Sequence, residues 1–225
     1  MTLGARILGF GYGVYLLYVF ATGALFFYIH PVYVVPTAVT GAVLIALAVL
    51  AGGRPDHPVP TWTAAMLALP LALGFLLPAQ PLSPATAGQR GVQPLTLGRG
   101  EGASAFEPTA RPETYTIKDW VKAFAADPEP ARHAGKPAHV IGFVHRDATM
   151  PDGWFLVARF VVQCCAVDAQ PVGLPVRAPG AALEPGRWVT VEGIWDVAEI
   201  DGRRRAVIAA SAVTPAARPD QPYLY

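Results

Sequence analysis

The residues best suited to chemistry are two adjacent cysteines, Cys164 and Cys165, with Asp168 close behind and His145 upstream. Thiolates, a carboxylate and an imidazole are the ligands a soft or borderline metal prefers. A metal ion on Cys164, Cys165 and Asp168 is therefore the cofactor this segment suggests. The spacing argues less strongly. Structural zinc sites separate paired cysteines by roughly two to four residues, so that both sulfurs reach one ion. If Trp154 to Cys165 is one strand, alternation sends Leu156, Ala158, Phe160, Val162 and Cys164 to one face, the expected core face. Phe155, Val157, Arg159, Val161, Gln163 and Cys165 then take the other, and the two thiols point apart. On that reading the cysteines are ordinary: one a small buried hydrophobe, the other a cross-strand neighbour. An internal disulfide is disfavoured, because a trans peptide holds neighbouring Cα atoms about 3.8 Å apart, below the roughly 4.4 Å that disulfides need. Thiol redox chemistry would more usually come with a Cys-x-x-Cys motif, which is lacking.

Two further residues stand out. Arg159 interrupts an otherwise apolar run, a place that core packing alone would not choose, and His30 closes the first apolar segment. His57 ends another, while His133 and His139 read as surface or strand residues. Arg203, Arg204 and Arg205 read as a solvated hairpin, since no interleaved aromatic platform accompanies them. There is no phosphate loop, nucleophile elbow or His-Glu metalloprotease helix, so an enzyme reading has no motif to rest on.

The elements that must position these residues divide sharply by charge. The first 78 residues carry only three ionised side chains, Arg6, Arg54 and Asp56. Of 17 basic and 16 acidic residues in all, that leaves 15 of each for the remainder. Such a balance offers no general attraction to nucleic acid or to anionic lipid. A bilayer explains so long an uncharged stretch; a soluble core does not. Residues 7–29 are predicted to be the first span, 32–51 the second and 61–77 a shorter third, interrupted by Pro70. Gly52 to Pro58 forms a polar turn between the last two. Three crossings with Arg6 and Arg54 inside place the C-terminal region outside the cytoplasm by the positive-inside rule.

Residues 79–114, rich in Pro, Gly, Ser, Thr and Ala, read as a linker without a core of its own. Order resumes at Tyr115. Thr116 and Asp119 form a capping-box start, with Ile117, Trp120, Val121 and Phe124 at helical spacing. Five strands are predicted behind it, at 138–144, 154–165, 172–176, 188–195 and 205–213, with Asp201-Gly202 as a hairpin turn. The fold class expected is a membrane-anchored chain: N-terminal transmembrane α-helices, then an all-β, OB-like barrel over residues 115–225 with one flanking helix.

The chain resembles the bacterial YcgQ-like family of membrane proteins. The likeness lies in Tyr28-Ile29-His30-Pro31, in Leu76-Leu77-Pro78 and in the segment through Ala87 to Gly91. It continues in Gly142-Phe143-Val144, Arg159-Phe160, Cys164-Cys165-Ala166, Asp168-Ala169, Pro171-Val172-Gly173, Trp188-Val189 and Pro222-Tyr223. The resemblance implies a non-enzymatic subunit of a two-component permease, partnered by a separate polytopic membrane permease and similar to systems linked to metal or metalloid transport. Its setting would be the bacterial plasma membrane, with the lipid bilayer as its second partner. Spans without a buried Asp, Glu, Lys or Arg make a poor ion pathway by themselves, which agrees. Two alternatives stay open: a membrane-tethered metal chaperone using the vicinal cysteines, and an OB-type ligand-binding module. Nucleic acid is not an expected partner.

Overall fold

In a computed structural model of the chain, the described residues are 3–50, 60–94, 111–146, 150–181, 183–200 and 202–225. The predicted polar turn at Gly52–Pro58, residues 95–110 of the linker and Asp201 lie outside them. The chain divides into two units, one helical and one built on a β-barrel.

The helical unit comprises Met1–Pro81, Gln163–Val167 and Tyr225. Its helices are α1 (Leu3–Ala21), α2 (Val34–Leu50) and α3 (Thr61–Leu76). The expected first span runs to residue 29, but α1 stops at Ala21. Gly23 takes φ 72°, a left-handed conformation that ends a helix at little cost in glycine. A short 3-10 turn, Ala24–Phe27, follows, and another at Pro31–Tyr33 leads into α2.

Glycine lets α1 and α2 approach closely. A Cβ added at Gly13 would lie 2.6 Å from the Gly41 carbonyl oxygen and 2.6 Å from Ile45. Lower down, the Arg6 Nε–H donates to the Ala48 carbonyl (2.8 Å), satisfying one of the acceptors that a helix leaves open at its C-terminus. These contacts make α1 and α2 antiparallel. Helix α3 runs parallel to α1, with Tyr12 meeting Leu67 and Tyr15 meeting Gly74 and Phe75. The Tyr12 hydroxyl donates to the Leu67 carbonyl (2.7 Å), beside the turn where Pro70 withholds an N–H.

Two helical segments, Leu3–Ala21 and Pro31–Leu50, are long and apolar enough to cross a membrane. Only 11% and 17% of their most apolar windows are buried, unlike the core helix of a soluble protein. Helix α3 has 16 residues, about 24 Å at 1.5 Å per residue, and is the shortest. Large apolar side chains such as Leu47, Leu50, Trp62, Met66 and Leu76 face outward from α2 and α3. In water such a surface would be an association liability, and in lipid it is at home.

The second unit holds α4 (Pro84–Arg90), β1 (Gln93–Pro94), α5 (Ile117–Ala126) and strands β2 (Pro137–His145), β3 (Trp154–Val161), β4 (Gln170–Arg177), β5 (Trp188–Ile200), β6 (Arg203–Pro215) and β7 (Tyr223–Leu224). Strands β2 to β6 close on themselves in the order β4-β6-β5-β2-β3-β4. All pairs are antiparallel except β4 with β6. This is a closed five-stranded mixed barrel of the expected OB-like kind, with β1 added on β4 and β7 on β3.

Helix α5 seals the barrel interior. Its capping box is intact: Thr116 Oγ1 accepts from the Asp119 N–H, and the Asp119 carboxylate from the Thr116 N–H. That cap fixes the start of the helix, so the predicted stripe of Ile117, Trp120, Val121 and Phe124 all turns inward and is buried. Trp120 and Phe124 meet Trp195 of β5 at ring-centroid distances of 5.0 and 4.7 Å. Beneath them lie Val140, Val157, Leu174, Val191 and Ile208. Aromatic burial on this scale is worth about 3–5 kcal/mol per ring by truncation to alanine.

Two features depart from expectation. Where composition predicts a featureless tether, Ser83 and Pro84 open α4 as N-cap and first helical residue, and Ala87 is wholly buried. The Leu82 N–H donates to the Tyr223 hydroxyl (2.6 Å), and Arg90 to the Ala169 carbonyl (2.6 Å). The second departure is His133, which is buried, with its Nε2 2.9 Å from the Asp127 carbonyl oxygen and its ring on Phe124.

Candidate functional site

The cysteines are not on a strand. Strand β3 stops at Val161, where β7 pairs with Phe160 and Val161 and the Val162 N–H donates to the Leu224 carbonyl (2.9 Å). Two corrections follow. Period-two alternation no longer governs residues 163–165, so the thiols are free to turn toward each other. The faces are also reversed: Phe155, Val157 and Val161 enter the main barrel core, while Phe160 of the expected core set packs in a separate aromatic layer with Phe143 and Tyr223. Both faces of β3 are buried, so hydrophobicity alone could not tell inside from outside.

Within the helical unit, Gln163–Val167 forms a loop held against the turn between α1 and α2. Ile29 and Cys165 make an antiparallel bridge. The His30 N–H donates to the Cys164 carbonyl (2.9 Å), and the Ala166 N–H donates to the Tyr28 carbonyl (2.8 Å). Two main-chain hydrogen bonds flanking one residue pair fix the backbone of both cysteines. Tyr225 braces the same turn, its hydroxyl donating to the Phe26 carbonyl (2.8 Å) and its ring lying edge-on to His30 at 5.1 Å.

The bend brings the two sulfurs to 3.5 Å. Cys164 is exposed and Cys165 half-buried, so the pair is accessible. Val167, at the tip of the loop, is 85% exposed. The two cysteines predicted as ligands are thus brought together, while the predicted Asp168 belongs to the barrel unit. Two thiols so placed suit a thiophilic ion.

The other predicted residues go elsewhere. His145 ends β2 beside Gly88 of α4, within the barrel unit. His30 reaches the thiol loop through its backbone only. Its Nδ1 accepts from the Val32 N–H (3.2 Å) and so starts the 3-10 turn leading into α2. Arg159, which alternates with the core residues Val157 and Val161, is buried. Its guanidinium donates to the carbonyls of Gln221 (2.6 Å), Pro222 (3.2 Å) and Tyr223 (3.5 Å) and lies 5.7 Å from the Trp188 ring centroid. Arg159 therefore clamps the chain around β7. The glycines of α1 also have partners within the unit: Gly9 and Gly13 face α2, and Gly11 faces Leu71 of α3.

Sequence reasoning missed the dock itself. Tyr28 and Ile29 hold the thiol loop, Tyr225 braces the turn they belong to, and Tyr28-Ile29-His30 belongs to the segment that carries the family resemblance. Pairing between a loop and a turn some 135 residues apart has no local signature.

Residues 116–225 match the family model described as the DUF1980 C-terminal domain, a domain of unknown function. The match begins at the capping threonine of α5 and takes in all five barrel strands and the thiol loop. No curated protein matches the chain.

Proposed function

We propose that the chain is a non-enzymatic accessory subunit of a two-component permease in the bacterial plasma membrane, and that it presents a metal or metalloid species to a polytopic partner. The observation that carries this reading is the bonding of an accessible thiol pair to the turn between two apolar helices. A soft-ligand site is thereby fixed at one end of the helical unit, where a transported ion would be received. The helices themselves carry no acidic residue and no interior base, so the conducting path belongs to another polypeptide. The YcgQ-like resemblance points the same way.

Three crossings with an extracytoplasmic C-terminal domain fit this arrangement. Helix α3 parallels α1, and Ala79 packs against the cluster of Val19, Ala24, Leu25 and Val34. The exit of α3 is therefore at the same end of the helical unit as the thiol loop. With Arg6 inside, that end is outside.

Affinity purification from the native membrane with a mild detergent tests the proposal. A polytopic permease is expected to co-purify at a fixed ratio, and deletion of this chain to abolish its transport. A protein recovered alone, whose loss leaves metal and metalloid accumulation unchanged, would overturn it. The thiol pair at Cys164 and Cys165 also favours a second reading, a tethered chaperone that loads more than one acceptor. That reading expects metal transfer from the purified chain to a soluble chelating acceptor in the absence of any permease.

A further inference from the structure

We infer that Cys164 and Cys165 form a chelate for trivalent, thiophilic metalloid species, of which arsenic(III) is the test case, in preference to zinc. This deepens the metal-or-metalloid reading above and rests on it.

The first ground is the sulfur–sulfur distance. At 3.5 Å the sulfurs are far beyond the roughly 2.05 Å of a disulfide, yet close enough for one central atom to bond both. Main-chain bonds at His30 and Ala166 hold the two residues in this bend. The chelate is therefore largely preorganised, and little conformational entropy is lost when the second sulfur engages.

Coordination number is the second ground. Zinc in closed protein sites takes four ligands, commonly cysteine or histidine. Within the helical unit, this site offers two thiols. Arsenic(III) forms three bonds, and two sulfurs leave one position for oxygen. A monosubstituted arsenic(III) compound needs two sulfurs and nothing more.

Access is the third ground. Cys164 is exposed and the neighbouring Val167 projects into the surroundings, so an uncharged hydroxide can reach the pair directly. In the reaction two As–S bonds form and two As–OH bonds break. Each departing hydroxide leaves as water with one thiol proton, and no electrons change hands. The product from arsenous acid keeps one As–OH group.

The experiment uses the full chain in detergent. Phenylarsine oxide, arsenite and Zn²⁺ are each titrated, with protection of both cysteines from alkylation read by mass spectrometry. We expect one phenylarsine oxide per chain, simultaneous protection of both thiols, and arsenite competing for the same pair. Zinc should protect at least tenfold more weakly at equal free concentration. Cys164→Ser and Cys165→Ser should each weaken phenylarsine oxide binding at least a hundredfold, with unchanged thermal unfolding as evidence of an intact fold. If a variant fails to fold, the wild-type protection data alone decide the matter. Independent alkylation of the two thiols under saturating arsenical overturns the inference, as does tighter protection by zinc. Co-purification with a permease is scored separately with Cys164→Ser/Cys165→Ser. Retained association with lost arsenical binding separates the ligand assignment from the subunit assignment, and zinc selectivity would sink the former alone.

Discussion

Ile29, in the turn before α2, and Cys165, in the loop after β3, are bridge partners across 136 positions of sequence. The thiol pair is consequently shaped by the helical unit, and it should be altered by substitutions that touch neither sulfur. His30→Pro removes the N–H that donates to the Cys164 carbonyl, at a cost of about 1 kcal/mol. Phenylarsine oxide binding should weaken about fivefold, while His30→Ala, which keeps that N–H, should bind within twofold of wild type.

Gly13 has no room for a side chain against Gly41 and Ile45, whereas nothing lies within 4 Å of a Cβ at Gly4. Gly13→Leu should destabilise the helical unit by about 1–3 kcal/mol, the usual cost of overpacking. Gly4→Leu should be close to neutral. Thermal unfolding in detergent, followed by circular dichroism, measures both.

Arg159 binds three consecutive carbonyls, so Arg159→Ala leaves buried acceptors without their donor. A loss of about 2–4 kcal/mol is expected. Amide exchange at Tyr223 and Leu224 should accelerate first, because β7 is the strand released. Lysine should rescue only part of this, since one ammonium cannot reproduce the planar guanidinium fork. Thiol reactivity toward phenylarsine oxide reports whether the effect stays confined to the barrel.

A fragment beginning at Tyr115 discards α4 and β1, and with them the buried Ala87 and the bond from Leu82 to Tyr223. A fragment beginning at Leu82 should therefore unfold at higher denaturant concentration. Equal midpoints would show that α4 contributes no stability to the barrel.

In the intact chain, alkaline carbonate should fail to strip the protein from vesicles, since the outward side chains of α2 and α3 are apolar along their length. Recovery in the soluble fraction would remove the basis for a membrane partner.

Much of this architecture was readable from local chemistry. Thr116 and Asp119 announced the start of α5, and the four apolar residues behind them announced its buried face. The strands were legible as short apolar runs between glycine-marked bends. The failures share a physical cause. Nothing local stops a strand at Val161, because the next residue is another valine and the pairing of Phe160 and Val161 comes from the far end of the chain. The inward face of β3 was misjudged because a second layer of Phe143, Phe160 and Tyr223 covers the outside as thoroughly as the core fills the inside. The thiol geometry depended on both errors. Helix α4 is a different case: Ser83-Pro84 was a legible helix start, outweighed by the composition around it.

The Arg6–Ala48 bond has a bearing on orientation. The only cation of α1 is bonded to the carbonyl end of α2, so the two helices form a hairpin whose charged corner would sit at one surface of a membrane they crossed. Turning that hairpin over would drag a guanidinium through hydrocarbon, which costs at least about 2.5 kcal/mol on insertion scales. Once inserted in a bilayer, such a hairpin would hold a single orientation.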